Sequence, residues 1–375
     1  MADMIPFIDL ASQRARIRDR LEPAMSKVIE EGRYILGPEV QELEERLAAF
    51  SGAPLALACA NGTDAIALPL MAWQIRRGDA VFVPSFTFAS TAEVVRWVGA
   101  TPIFVDVDPD TYTMDIDHLE ACMAMVDETE GLTARAVIAV DMFGQPADYR
   151  RIRKLCDARG LKLVADSAQG FGCTLDGQHP IHWADVATIS FYPAKPLGCY
   201  GDGGAIVLKD PDLYALLRSL HVHGSGTERY EYARIGLNSR LDTLQAAVLL
   251  VKLDIFADEI VTRNRAADAY AAGFGDLVQP HKVIEGGVST WAQYTIQVPD
   301  RDGFRKTLAD HGIPTAIYYP WPLHSQPAYS GSPDSPGGLP ATDRIAERVV
   351  SLPMDAYLDG ERSERVIAAV RAALG

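Results

Sequence analysis

The chain has 375 residues, 48% of them hydrophobic and 23% charged, and its 35 lysines and arginines against 50 aspartates and glutamates give a net charge of −15. Such a composition describes a globular protein with room for one large α/β domain and a smaller one, and it excludes disordered and fibrous classes. So acidic a chain lacks the positive field that bulk nucleic-acid or membrane-surface binding needs, so an anionic ligand must meet a local group of arginines. The five cysteines are odd in number, widely spaced and without a C-x-x-C pair, which reads as reduced thiols in a cytoplasm and not as a disulfide framework. Metal-ligand spacing is absent: His221 and His223 stand two apart with no third ligand near, and read as polar residues at a helix end. Met1 to Pro6 shows no basic-then-apolar leader pattern, and no window approaches the roughly 18 apolar residues of a membrane span, so a soluble, cytoplasmic protein without a membrane partner is expected.

In chain order, residues 12–31 place Ile17, Leu21, Met25, Val28 and Ile29 on one helical face, and Gly32 stops the run. A second helix begins at Pro38, a favoured first position, with Glu39 and Glu42 near its positive end. Tyr34 to Gly37, between them, reads as a helix–helix connector. Leu55 to Cys59 is a short strand that Asn61-Gly-Thr-Asp64 turns into a helix; the free N–H groups of Gly62 and Thr63 make either an ordinary capped start or a seat for a phosphate. Pro69 within that helix removes a hydrogen bond and should bend or shorten it. Apolar, β-rich runs at 80–83, 101–105, 135–140 and 161–165 alternate with helical stretches at 88–98, 115–124 and 146–159, the pattern of crossover units in a mostly parallel sheet. From pattern alone, Phe88 reads as a core aromatic.

The next strand, 185–190, leads into Phe191-Tyr-Pro-Ala-Lys-Pro-Leu-Gly-Cys-Tyr-Gly-Asp-Gly-Gly204. Prolines on both sides of Lys195 keep this loop out of helix. The lysine is then either a solvated turn residue or an amine held rigidly for chemistry. With Asp166 at one strand end and the turn at Gly62 and Thr63 at another, a carboxylate, an amine and an anion seat fall at the strand ends of one sheet, where open α/β sheets bind ligands. Leu241, Leu244, Val248, Val251 and Ile255 mark a long helix from near Ser239, its stripe serving core packing or a subunit contact. Beyond residue 275 the expected order is a strand near 291–298, a helix at 302–311, a strand at 314–318, a proline-rich loop at 320–340, and helices near 342–350 and 361–373. The run 330–338 reads as a flexible surface loop. This divides the chain into a large domain, 1–270, containing the N-terminal helices and the long helix near 239–270, and a small α+β domain, 271–375. No internal repeat and no G-x-G-x-x-G turn after an early strand is present.

Seven segments carry a family resemblance in family order: Gly32-Arg-Tyr-Ile-Leu-Gly-Pro-Glu-Val40, Ala60-Asn-Gly-Thr-Asp-Ala65, Val83-Pro-Ser-Phe-Thr-Phe88, Ala165-Asp-Ser-Ala-Gln169, the lysine loop, Gly236-Leu-Asn-Ser-Arg240 and Tyr318-Tyr-Pro-Trp-Pro-Leu-His324. From about Ile8 to the C-terminus the chain resembles the pyridoxal-phosphate-dependent sugar aminotransferases of the DegT/DnrJ/EryC1/StrS family. The resemblance implies an aspartate-aminotransferase-like fold of type I, with pyridoxal 5′-phosphate as cofactor and pyridoxamine 5′-phosphate as its aminated form. It makes Lys195 the Schiff-base lysine and proton carrier, and Asp166 the partner of the pyridine nitrogen. It places Gln169 near the ring's phenolic oxygen and Phe88 on the ring's face. Gly62, Thr63 and Ser190 hold the phosphate, joined by Asn238 reaching across a homodimer with shared active sites. Tyr34, Arg229, Tyr318, Tyr319 and His324 face the substrate.

The lysine loop is most similar to members that aminate the sugar at C3 with L-glutamate as donor, above all those acting on UDP-2-acetamido-2-deoxy-3-keto-D-glucuronate for the lipopolysaccharide and O-antigen of bacterial surfaces. A dTDP-linked 3-keto-6-deoxyhexose is the alternative substrate. A non-transaminating nucleotide-sugar-binding protein is a further alternative, but one expected to have lost Lys195 or Asp166. Relatives that remove a hydroxyl have histidine at the lysine position, so Lys195 speaks against a dehydratase.

Overall fold

A computed structural model describes residues 5–278 and 280–375, so the N-terminal residues Met1 to Met4 lie outside the described residues. Asp9 opens α1 (Leu10–Glu31) by accepting a hydrogen bond from the Ser12 N–H, a cap worth about 1 kcal/mol, and Gly32 closes it at φ +68°. Ile17, Leu21 and Val28 of the expected stripe are buried. Ile29 is not: it is 57% exposed, because one residue turns the helix by about 100° and carries it off the buried face. Then come α2 (Pro38–Ser51), β1 (Leu55–Cys59) and α3 (Gly62–Ala72), which ends three residues after Pro69. The alternation continues through β2 (Asp79–Pro84), α4 (Ser90–Trp97), β3 (Thr101–Val105), α5 (Ile116–Glu128), β4 (Thr133–Val140), α6 (Tyr149–Arg159) and β5 (Lys162–Asp166). After the two-residue β6 (Thr174–Leu175) follow β7 (Val186–Ser190), β8 (Gly204–Leu208), α7 (Pro211–Leu220) and α8 (Thr243–Phe274).

The main sheet has seven strands in the order β1-β8-β7-β5-β4-β2-β3. Only β8 runs against its neighbours, pairing antiparallel with β1 and β7. The strands are buried on both faces, as a sheet covered by crossover helices requires. One face packs on α2, α5, α6 and the first half of α8, the other on α3, α4 and α7. All five cysteines are buried and unpaired. No helix among the described residues is long and apolar enough to cross a membrane.

The C-terminal part contains β9 (Gly287–Val288), β10 (Tyr294–Gln297), α9 (Arg301–Asp310), α10 (Pro340–Arg348), β11 (Val349–Leu352) and α11 (Gly360–Leu374). Its own core joins Tyr270 and Phe274 from the end of α8 to Tyr294, Leu308, Val350 and Val366. The long helix therefore starts four residues later than Ser239 and continues past residue 270. Two expectations fail here. Residues 314–318 form no strand, only a bridge between Ala316 and Ser351, and the partner of β10 is β11, whose first two residues, Val349 and Val350, were expected at the end of a helix. A short run such as Val349-Val-Ser-Leu, three of its four residues apolar, fits helix or strand equally by pattern, and pairing with β10 decides it. The loop at 330–338 is also tied down: Ser335 donates to the Phe104 carbonyl, and His118 Nε2 lies 2.9 Å from the Pro336 carbonyl oxygen.

Candidate active site

The strand ends of β1, β5 and β7 meet at one edge of the sheet, and two glycines let them meet closely. A Cβ on Gly204 would stand 2.3 Å from the Asn61 carbonyl oxygen, and one on Gly62 2.6 Å from the Cβ of Ser190. Asn61 Oδ1 caps α3 by accepting from the Asp64 N–H at 2.8 Å, which leaves the N–H groups of Gly62 and Thr63 free at the positive end of the helix. The Thr63 hydroxyl lies 2.9 Å from that of Ser90, the first residue of α4. Two free backbone donors and three hydroxyls, on Thr63, Ser90 and Ser190, thus surround a seat suited to a phosphate.

Asp166 ends β5 and is buried. Its Oδ2 accepts from Thr91 Oγ1 at 3.0 Å and its Oδ1 from the Ala168 N–H at 3.2 Å. Burial raises its pKa, and the two hydrogen bonds and the charge of Lys195 oppose that rise. No basic side chain among the described residues lies within ion-pair distance of this carboxylate. Lys195 has the complementary bias: burial pushes its amine down toward the neutral form, against the pull of Asp166. Its loop is closed by hydrogen bonds from the Lys195 N–H to the Tyr192 carbonyl, from Cys199 to Phe191 and from Phe191 to Gly203, each 2.8 Å.

Gln169 is held at both ends of its amide. Its Oε1 accepts from the Phe143 N–H at 2.8 Å and its Nε2 donates to the Tyr319 hydroxyl at 3.0 Å, so Tyr319 is fixed beside Asp166. Burial pushes the Tyr319 phenol well above its ordinary pKa. Phe88 is no core residue, contrary to the pattern reading: in the connector between β2 and α4 it is Phe86 that is fully buried, while Phe88, two residues on, is 56% exposed with its ring 6.3 Å from that of Tyr319. Next to it opens a cavity of about 500 Å³ lined by Phe88, Arg96, Trp97, Tyr319, Trp321 and Tyr329. Tyr318 packs between Tyr319 and Phe7. His324 is set by Ser85, whose Oγ lies 2.7 Å from its Nδ1, with Asp343 3.3 Å from its Nε2.

Three expected site residues stand apart within this chain. Tyr34 is exposed and donates to the Ile29 carbonyl. Arg229 lies in an exposed loop with its guanidinium 5.0 Å from the Tyr230 ring. Asn238 is exposed and accepts from Arg240, although the neighbouring Ser239 accepts from the Ala60 N–H beside the phosphate-sized seat. Sequence reasoning missed Ser90, Thr91 and Asp141. The hydroxyl-rich run Ser85, Thr87, Ser90 and Thr91 was the available signal for the first two. Asp141 follows β4, fully buried, and accepts from Tyr149 OH and Ser167 Oγ at 2.6 Å each.

A buried carboxylate without a protein cation, a lysine biased toward its free amine and an anion seat on one sheet edge fit a phosphorylated aldehyde cofactor with a basic ring nitrogen. Such a site suits the pyridoxal-phosphate class of enzymes. The chain belongs to the DegT/DnrJ/EryC1/StrS aminotransferase family, whose sequence profile matches residues 15–371. It is 44% identical over 368 residues to the UDP-2-acetamido-2-deoxy-3-oxo-D-glucuronate aminotransferase of Pseudomonas aeruginosa, covering 98% of this chain and 99% of the relative. A DegT/DnrJ/EryC1/StrS aminotransferase from Brucella abortus superposes with a TM-score of 0.97 at 49% identity, covering 99% of this chain and all of the other. A sugar aminotransferase from Streptococcus pneumoniae, solved in its PLP form, superposes with a TM-score of 0.85 at 26% identity over 95% of this chain and 97% of its own. The protein is a pyridoxal-phosphate-dependent aminotransferase of fold type I.

Proposed function

We propose that the protein moves an amino group from L-glutamate to C3 of a UDP-linked 3-keto sugar, UDP-2-acetamido-2-deoxy-3-keto-D-glucuronate, in the biosynthesis of a bacterial surface polysaccharide such as the O-antigen of lipopolysaccharide. The observation that carries the chemistry is the pairing at one sheet edge of Asp166, buried without a cation, with Lys195, whose amine burial disfavours as a cation. The sugar and nucleotide rest on the similarity to the Pseudomonas aeruginosa enzyme over nearly the whole of both chains.

When bound, pyridoxal 5′-phosphate supplies an aldehyde that links to amines and a ring that takes up the electron pair left by a departing proton. Gly62, Thr63, Ser90 and Ser190 would hold its phosphate. Asp166 would keep the ring nitrogen protonated by opposite charge, and Thr91 fixes the carboxylate's direction for that task. Gln169 and Tyr319, joined by a hydrogen bond, would stand together toward the ring's oxygen, and Phe88, whose side chain lies 6.3 Å from that of Tyr319 between ring centroids, would cover the cofactor ring and exclude water. Lys195, as a free amine, would serve as the acid and base that moves a proton at the substrate carbon.

Tyr34, Arg229 and Asn238 are exposed and serve the site from a second copy of the chain, so the working unit is a cytoplasmic homodimer with shared sites. The large domain, residues 1–270, carries the cofactor seat, and the small domain, 271–375, brings Tyr318, Tyr319 and His324 to the sugar. The test is to reduce the reconstituted protein with borohydride, map the modified peptide, and then assay the aminated enzyme by mass spectrometry against 3- and 4-keto sugars on UDP and dTDP. The reading requires the adduct on Lys195 and amination of the UDP-linked 3-keto uronate. An adduct elsewhere, or turnover of dTDP sugars alone, defeats it.

A further inference from the structure

Lys252 lies in the third turn of α8 and is 1% exposed. Burying an ammonium costs several kcal/mol unless its donors are met, and no carboxylate among the described residues is within ion-pair distance of it. Its Nζ instead donates to the carbonyl of Gly198 at 2.6 Å and stands 4.4 Å from the ring of Tyr200. Both belong to the loop that carries Lys195. Two turns earlier on the same face of the helix, Gln245 Oε1 accepts from the Tyr200 N–H at 2.8 Å, and its Nε2 lies 3.5 Å from the Tyr200 carbonyl oxygen. Gly198 can only be glycine at this point, because a Cβ there would stand 2.5 Å from the Pro193 carbonyl oxygen. The helix is itself anchored from behind, where Gln13 of α1 donates to both oxygens of Glu259 at 3.0 Å.

We propose that Lys252 and Gln245 form a two-point clamp through which α8 fixes the lysine loop and aims Lys195 into the site. Both are positioning residues, since neither reaches the strand-end cleft. Burial lowers the Lys252 amine to about 8, against the pull of Glu259 and Cys199, which suits a donor satisfied by a carbonyl and a ring face and not by a counter-ion. The inference rests on the reading of Lys195 as the lysine that links the cofactor.

The test compares Lys252→Met, Lys252→Arg and Gln245→Leu with the unaltered protein. Without cofactor, hydrogen exchange of peptides spanning 191–204 should quicken in Lys252→Met by about tenfold or more, the loss expected for one hydrogen bond to a charged group, while β4 and β5 keep their protection. With cofactor, kcat should fall while KM for glutamate holds, and Lys252→Arg should recover part of kcat. Should Lys252→Met fail to fold, Gln245→Leu carries the same readouts, because that side chain is only partly buried. Unchanged exchange in 191–204, with unchanged kcat, in the folded variants overturns the clamp. A borohydride adduct absent from Lys195 in the unaltered protein overturns the functional reading instead and leaves the exchange result standing.

Discussion

Gly62 stands so close to Ser190 that a Cβ at position 62 would lie 2.6 Å from the Cβ of Ser190. The approach sets the width of the phosphate-sized seat, since it brings the free end of α3 against the end of β7. Gly62→Ala should therefore cost about 1–3 kcal/mol of stability by overpacking and should also weaken cofactor binding. Thermal unfolding of the cofactor-free protein and absorbance titration with pyridoxal 5′-phosphate measure the two effects separately. An alanine variant with unaltered cofactor affinity would show that the seat lies elsewhere.

Lys195→Ala removes the amine proposed to link the cofactor and carry the proton. Turnover should fall by at least about 10²–10⁴, the range for losing a positioned acid–base group, and the borohydride-stable mass increase should vanish. A variant that keeps the mass increase on another residue would remove Lys195 from the chemistry.

Asp166→Asn keeps the shape of the side chain and its contact with Thr91 but loses the charge. The expected result is a folded protein that still binds cofactor and aminates substrate far more slowly. Equal rates for Asp166 and Asn would show that no protonated nitrogen faces this position.

Mixed dimers test the shared site. Co-purified Lys195→Ala and Asn238→Asp chains, each impaired alone, should give a hybrid in which one site has neither defect, and activity should return. Hybrids as inactive as the parents would confine each site to one chain.

Asp141 offers a pH test. Burial raises its carboxyl from the usual carboxylate range to about 7, helped by the nearby Asp166 and opposed by Ser167, Tyr149 and the Ala147 N–H. A folded pKa above the unfolded one means the folded state holds the proton longer. The contribution to stability is full below about pH 4, declines at up to about 1.4 kcal/mol per unit as pH rises toward 7, and is flat above. In Asp141→Asn that decline is missing, so the Tm difference, variant minus unaltered protein, should grow from pH 5 to 7 and then level. A difference independent of pH would mean that Asp141 is ionised throughout.

The lysine loop was legible in the chain because prolines on either side of Lys195 forbid helix, and Asp166 because its run of apolar residues ends on it. Asn61 to Asp64 were legible as a helix start, since capping chemistry is local. The parallel sheet followed from alternating periodicities that each element carries within itself. The pairing of β10 with β11 was not legible, because a run as short as Val349 to Leu352 fits either structure until a partner strand chooses one.

Local covalent rules, turn chemistry and hydrophobic spacing, all written within a few residues, determined from sequence alone where strands end and which residues can stand at those ends. Only the tertiary structure decided which hydroxyls converge on the anion seat, that Phe88 is exposed and not core, that Asp141 is buried behind Asp166, and that Lys252 grips a loop more than 50 residues earlier. Such contacts join segments distant in the chain, and their strength depends on burial and on ångström-scale approach, quantities that exist only once the layers have packed.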